Sequence, residues 1–233
     1  MKSIWLVIAG VLILASPVMG EENSVLKTQK EKSSYVIGVD VGRALKKGGV
    51  EIDPDIFARG VRDAIAGGKL LMTDEEIKET MNAFQREITA RQTQARHRLA
   101  EKNKKEGEAF LAENSKKPGV VTLPSGLQYK VLRPGTGKKP QAQDIVKVHY
   151  RGTLIDGTEF DSSYRRGQPT SFQVNRVIPG WTEALQLMEE GAKWQIFIPS
   201  RLAYGERGAG KEIGPYATLI FEVELLAIGK GKK

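Results

Sequence analysis

The chain has 233 residues, no cysteine, two histidines and a formal net charge of +8 at pH 7. Without cysteine there are no disulfides, no thiolate metal sites, no cysteine nucleophile and no lipoprotein anchor acylated on cysteine. The positive excess is spread along the chain instead of gathered in one run, so nothing tracks a phosphate backbone and no nucleic-acid partner is expected.

Residues 1–20 read as a secretory signal peptide: Lys2, then the apolar run IWLVIAGVLILA, then the small residues Val18 and Gly20 before Glu21. The run is too short to span a bilayer comfortably, although an uncleaved anchor is the competing reading. Export without disulfides fits a bacterial envelope, so the expected location is the periplasm or the outer membrane and cell surface.

Residues 21–72 carry the marks of short helices. In SSYVIGVDVGRALKKGG, Tyr35, Val39 and Leu45 can share a face that Gly48 and Gly49 end; a strand over VIGVDV is the rival, weakened by Gly38 and Asp40 within it and Gly42 directly after. The next helix has Asp53 as N-cap, Pro54 at its first position and Gly67-Gly68 at its close, with Ile56, Phe57, Val61, Ala64 and Ile65 as its apolar face. About fifty residues bury too little surface to stand alone, so this segment calls for a partner.

Thr73 to Glu76 form a capping box. No proline and only one glycine, Gly107, interrupt the chain from there to Asn114, so residues 73–118 are expected to be one long connecting helix. Ile77, Met81, Phe84 and Ile88 make an apolar stripe over its first turns. The stripe then fades into RQTQARHRLAEKNKKEGEAF, polar all round, which is the pattern of a helix that bridges domains. His97 is a solvated helix residue on this reading, and Phe110-Leu111 marks where the helix meets the C-terminal domain. Lys117-Pro118-Gly119 stops it.

From Val120 onward the periodicity becomes alternating. Residues 127–131, 145–150, 194–198 and 219–226 read as strands, separated by turn signals such as Pro124-Ser125-Gly126 and Asp156-Gly157. One short helix is expected over 182–188, after Pro179-Gly180-Trp181. A single helix on an antiparallel sheet makes this end α+β, with the site between helix and sheet. Most of the aromatic residues lie here, so the main core and any apolar pocket belong to this end.

Three familiar chemistries fail on inspection. Residues 205–211 match G-x-x-x-x-G-K, but Glu212 stands where a phosphate loop needs Ser or Thr, and Ile213-Gly214-Pro215 prevents the helix that should follow. A flexible glycine-rich loop beside a groove is the simpler reading. His97 and His149, one on a helix and one on a strand, supply neither a serine-protease triad nor a two-histidine metal centre. No metal and no cofactor are expected.

The runs VHYRGTL, DGTEFDSS, VIPGW, YGERG and ATLIFEVELL, in that order, resemble the FKBP-type peptidyl-prolyl cis-trans isomerases over residues 119–233. With the upstream segments the whole chain looks like the macrophage infectivity potentiator (Mip) subgroup. The resemblance implies an isomerase acting non-covalently on proline-containing polypeptides during the folding of exported proteins, with chaperone and virulence-associated roles beside it. It implies binding of macrolides such as rapamycin, and a homodimer formed through residues 21–90. By matching position it makes Trp181 the floor of a proline pocket, with Tyr150, Phe160, Val177, Ile178 and Phe221 as walls. Asp161 lies at the wall with Arg166 placed to neutralise it, the Tyr204 hydroxyl contacts the substrate carbonyl, and the Ile178 N–H donates to the ligand. The catalytic group expected on this basis is Asp161, Tyr204, Phe160 and Trp181. Thr170, Ala209 and Glu212 depart from the family's common pattern.

Overall fold

A computed structural model describes residues 25–230; the signal peptide expected over residues 1–20 lies outside the described residues. Among the described residues no helix is long and apolar enough to cross a membrane. The chain divides into two compact units, Met1–Ile77 and Lys78–Lys233.

The first unit contains two helices, α1 (Gln29–Lys47) and α2 (Pro54–Ala66). VIGVDV lies within α1, because a capping box nucleates the helix upstream of it: the Glu31 N–H donates to Thr28 Oγ1 at 3.2 Å, and the Thr28 N–H donates back to Glu31 Oε2 at 2.7 Å. In α2, Asp53 Oδ1 accepts from the N–H groups of Asp55 and Ile56, with Pro54 on the first turn as expected. Neither helix buries a residue, and Tyr35, Ile37, Ile56, Phe57, Val61 and Ile65 are all exposed.

Helix α3 (Asp74–Asn114) opens with the expected box, in which Thr73 Oγ1 accepts from the Glu76 N–H at 3.3 Å and Glu76 Oε2 from the Thr73 N–H at 2.8 Å. Its later course differs from the expected free bridge. Contact with the sheet domain starts fourteen residues before Phe110, at Arg96, and runs down one face through Leu99, Asn103, Gly107, Phe110 and Asn114. The steps of three and four are those of a helix stripe, but the residues are basic, amide and small as well as apolar, so hydrophobicity does not reveal it. A Cβ at Gly107 would run into Thr218 Oγ1, which is why the backbone can approach so closely there. At the helix end Phe110 packs on Phe197 with ring centroids 6.0 Å apart. The buried Gln128 amide donates to the Leu111 carbonyl at 2.9 Å and accepts from Asn114 at 3.0 Å; that carbonyl also accepts from the Ser115 N–H at 3.0 Å, so Gln128 ties the last turn of the helix to β2.

The sheet is antiparallel, with strands β1 (Val120–Thr122), β2 (Gln128–Arg133), β3 (Ile145–Leu154), β4 (Glu159–Ser162), β5 (Thr170–Gln173), β6 (Lys193–Ile198) and β7 (Leu219–Gly229). Their order is β1-β2-β6-β7-β3-β4, with β5 also on β3. Strands β1, β4 and β5 were not expected, since three or four residues are too few to show an alternation. The central pair is β3 with β7, where Tyr150 lies opposite Val223 and Gly152 opposite Phe221. Along β7, Leu219, Phe221, Val223 and Leu225 point into the core. Glu222 and Glu224 face outward, pairing with Lys193 at 3.1 Å and Arg133 at 2.6 Å. Helix α4 (Pro179–Leu187) covers the inner face with Trp181, Ala184 and Leu185. It begins three residues earlier than expected, because Pro179 has the backbone angle of a first helical turn already set.

Candidate active site

A cavity of about 620 Å³ opens between α4, the sheet and the loop ahead of β7. Its floor is Trp181, buried to 4% exposure. Three rings cross the indole nearly at right angles: Tyr150 at a centroid distance of 5.2 Å, Phe221 at 5.2 Å and Phe172 at 5.7 Å. Edge-to-face packing suits the ring quadrupoles and fixes each ring's orientation more tightly than area burial alone. Phe160 closes the set against Phe221 at 5.4 Å. Gly152 makes room for that pair, since a Cβ there would lie 2.6 Å from Phe221 and 2.7 Å from Phe160. The Trp181 indole N–H is buried without a hydrogen-bond partner among the described residues, a cost of about 1–3 kcal/mol that a core designed only for stability would avoid.

Of the residues expected at the site, Tyr150, Phe160, Asp161, Val177, Ile178, Trp181, Tyr204 and Phe221 all line this one cavity. Arg166 does not line it; it stands behind Asp161. Its guanidinium pairs with the Asp161 carboxylate and also donates to the Tyr150 hydroxyl at 2.8 Å and to Thr170 Oγ1 at 3.1 Å. Burial alone pushes the Asp161 carboxyl up, but the hydrogen bonds from Tyr150 and Arg166, the Arg166 charge and the Ser162 N–H outweigh it. The carboxyl therefore titrates below the usual aspartate range. Burial, reinforced by the bond to Asp161, pushes the Tyr150 phenol up. At neutral pH the aspartate is a fixed anion and the tyrosine keeps its proton.

Besides the Trp181 indole N–H, two polar groups at the cavity are left open. The Tyr204 side chain is 41% exposed, and its hydroxyl makes no hydrogen bond among the described residues. Ile178 is the N-cap of α4; its carbonyl accepts from the N–H groups of Trp181 and Thr182 at 2.9 and 3.1 Å, while its own N–H has no partner there.

Sequence reasoning missed Phe172, Arg176 and Ile213, which also line the cavity. Phe172 had little signal, since the alternation of Thr170, Phe172 and Val174 with Ser171 and Gln173 is too brief to mark a strand. Arg176 had none. The departures Ala209 and Glu212 both line the cavity, whereas Thr170 receives the Arg166 guanidinium. The loop of residues 205–211 folds as a short turn and a bridge between Ala209 and Ile213, with no helix after it, so it is no phosphate loop.

A cavity made of rings, with a locked carboxylate and three unpartnered donors, has little means to move protons and every means to hold and desolvate an amide. On this fold it defines the site of a peptidyl-prolyl isomerase. Comparison with known proteins gives the same class of protein. Residues 136–226 match the family of FKBP-type peptidyl-prolyl cis-trans isomerases, and residues 30–131 match the domain amino-terminal to it. The chain is 46% identical over 230 residues to the outer membrane protein MIP of Legionella longbeachae, covering 99% of this chain and 98% of that one. It is 46% identical over 205 residues to the peptidyl-prolyl cis-trans isomerase Mip of Coxiella burnetii, covering 88% and 89%. The crystal structure of FkpA from Escherichia coli superposes with a TM-score of 0.71 at 39% identity, covering 89% of this chain and all of that one. The chain belongs to the FKBP-type peptidyl-prolyl cis-trans isomerase family and is an enzyme of that class.

Proposed function

We propose that the cavity turns X-Pro bonds in exported polypeptides, with the proline ring seated on Trp181 between Tyr150, Phe160, Val177, Ile178 and Phe221. Amide resonance sets a barrier of ~18–20 kcal/mol. Water stabilises the planar, charge-separated amide by bonding to its oxygen; an aromatic cavity withdraws that water, while the less polar twisted amide loses little. The free Ile178 N–H holds the peptide backbone, and the Tyr204 hydroxyl contacts the substrate carbonyl. Asp161, fixed by Arg166 and Tyr150, lends a negative field to the rim without giving up or taking a proton. Orientation of the proline adds to desolvation, and both act by favouring the transition state over the ground state.

The observation that carries this reading is the pair of unpartnered donors, Tyr204 and Ile178, over a floor of mutually braced rings. A protease-coupled assay on an X-Pro peptide tests it. Cis-to-trans conversion should accelerate with enzyme concentration and fall back to the uncatalysed rate on addition of rapamycin, which needs the same cavity. No acceleration, or acceleration indifferent to rapamycin, overturns the assignment.

The wider role we propose is folding of envelope proteins by a homodimer joined through residues 21–90, with chaperone action on unfolded clients as a second role. The apolar side chains exposed on α1 and α2, with Met81 and Phe84 on α3, support the dimer, since soluble monomers seldom leave such surface uncovered. The outer-membrane name of the Legionella longbeachae relative supports a place in the periplasm or at the outer membrane.

A further inference from the structure

One wall of the cavity is a loop that does little to hold itself. Residues 203–218 lead from β6 to β7 and supply Tyr204, Ala209, Gly210, Glu212 and Ile213 to the lining. Their internal bonds are few. Ala209 and Ile213 bond to each other at 2.8 and 3.1 Å, and the Tyr216 N–H reaches the Gly205 carbonyl at 2.8 Å. Tyr216 has a φ of 56°, the one positive φ outside glycine among the described residues, a conformation that side chains rarely adopt unless the surroundings impose it.

Helix α3 bonds to the loop on both sides of it. The Arg96 guanidinium donates to the carbonyls of Glu206 and Arg207 at 2.9 and 3.0 Å. The Asn103 amide donates to the carbonyl of Pro215 at 2.8 Å, directly before the strained Tyr216. Gly214 lies so close that a Cβ there would be 3.1 Å from both Leu99 and Asn103. All three bonds run from helix side chains to loop backbone carbonyls, so the helix grips the path of the loop and not its side chains.

We propose that α3 is a working part of the active site: Arg96 and Asn103 are positioning residues that hold the loop closed as the wall carrying Tyr204 and Ile213. This rests on the cavity being the proline site. A loop freed from the helix spends less time in the binding-competent shape, and apparent affinity falls by the fraction lost. Substrate that does bind selects the closed loop and finds the same rings, so the cost falls on KM and spares kcat.

The test uses the full chain with Arg96→Ala, Arg96→Lys and Asn103→Leu, and Lys105→Ala as a control at an exposed position on the same helix. For Arg96→Ala, KM for an X-Pro tetrapeptide should rise about fivefold to tenfold while kcat stays within about twofold. Arg96→Lys keeps the charge and a donor nitrogen but not the planar fork, and should recover part of the loss; Asn103→Leu should raise KM in the same way; Lys105→Ala should match wild type. Hydrogen exchange locates the cause. The Ala209, Ile213 and Tyr216 amides should exchange faster in Arg96→Ala, while those of β7 stay as protected as in wild type. Wild-type KM in Arg96→Ala overturns the proposal, as does a loss of kcat alone. Faster exchange across β7 also overturns it, by showing general destabilisation. A wild-type chain with no isomerase activity would instead unseat the proposed function, and the exchange data would still report whether the helix holds the loop.

Discussion

The Tyr150 hydroxyl donates to the Asp161 carboxylate at 2.5 Å while accepting from Arg166 at 2.8 Å. The two residues lie on neighbouring strands, where Asp161 pairs with Gly152, two places along from Tyr150. One guanidinium thereby braces both a wall of the cavity and a charge at its rim. A carboxylate held this way costs little to keep ionised, because every step that desolvates it also supplies a donor.

Removing either open or braced polar group should cost turnover before it costs the fold. Asp161→Ala leaves Arg166 without its counter-charge and should lower kcat/KM by about tenfold, the equivalent of about 1.4 kcal/mol. Tyr204→Phe removes a single hydroxyl that bonds nothing among the described residues, and should cost about threefold to tenfold. Measuring kcat/KM alongside thermal unfolding separates the effects. Unchanged turnover with unchanged melting would take the residue out of the mechanism.

The depressed Asp161 pKa has a signed consequence for stability. The carboxyl is ionised more readily in the folded chain, so its contribution is complete above the ordinary aspartate value of about 3.9 and is lost as pH falls through the lower folded value. The stability gap between wild type and Asp161→Asn should be constant from pH 5 to 8 and should narrow as pH falls below about 4. Urea unfolding across that range is the measurement; a gap that widens toward acid would contradict the assignment.

Gly107→Ala sets two effects against each other. In an exposed helix the change stabilises by about 1 kcal/mol. Here the new methyl meets Thr218, and overpacking of this kind costs about 1–3 kcal/mol. The variant should therefore be less stable than wild type. Urea unfolding of the whole chain decides it, and a gain in stability would mean that α3 is not seated on the sheet at this point.

The proposed dimer predicts that one charge at its centre separates the copies. Phe57→Glu or Met81→Lys should sediment as a monomer at micromolar concentration where wild type sediments as a dimer, because an unpaired charge buried at an interface costs several kcal/mol. A dimer that survives both substitutions places the contact elsewhere.

Much of the molecule follows from local rules. Asp53-Pro54 and Thr73 to Glu76 begin their helices because capping chemistry acts over three or four residues. The alternation in LIFEVELL assigns its core and solvent faces for the same kind of reason. Trp181, Tyr150, Phe160 and Phe221 came together as the family resemblance implied, since their motifs are long and specific. What tertiary structure alone decided is the company those residues keep. Phe172 joins the rings from a four-residue strand too short to announce itself, and Arg166 serves Tyr150 and Thr170 as well as Asp161. The second half of α3 reads as solvated because Arg96, Asn103, Gly107 and Asn114 are not apolar. They dock through carbonyls, amides and close backbone approach, and those contacts depend on what stands opposite, which no periodicity within the helix can express.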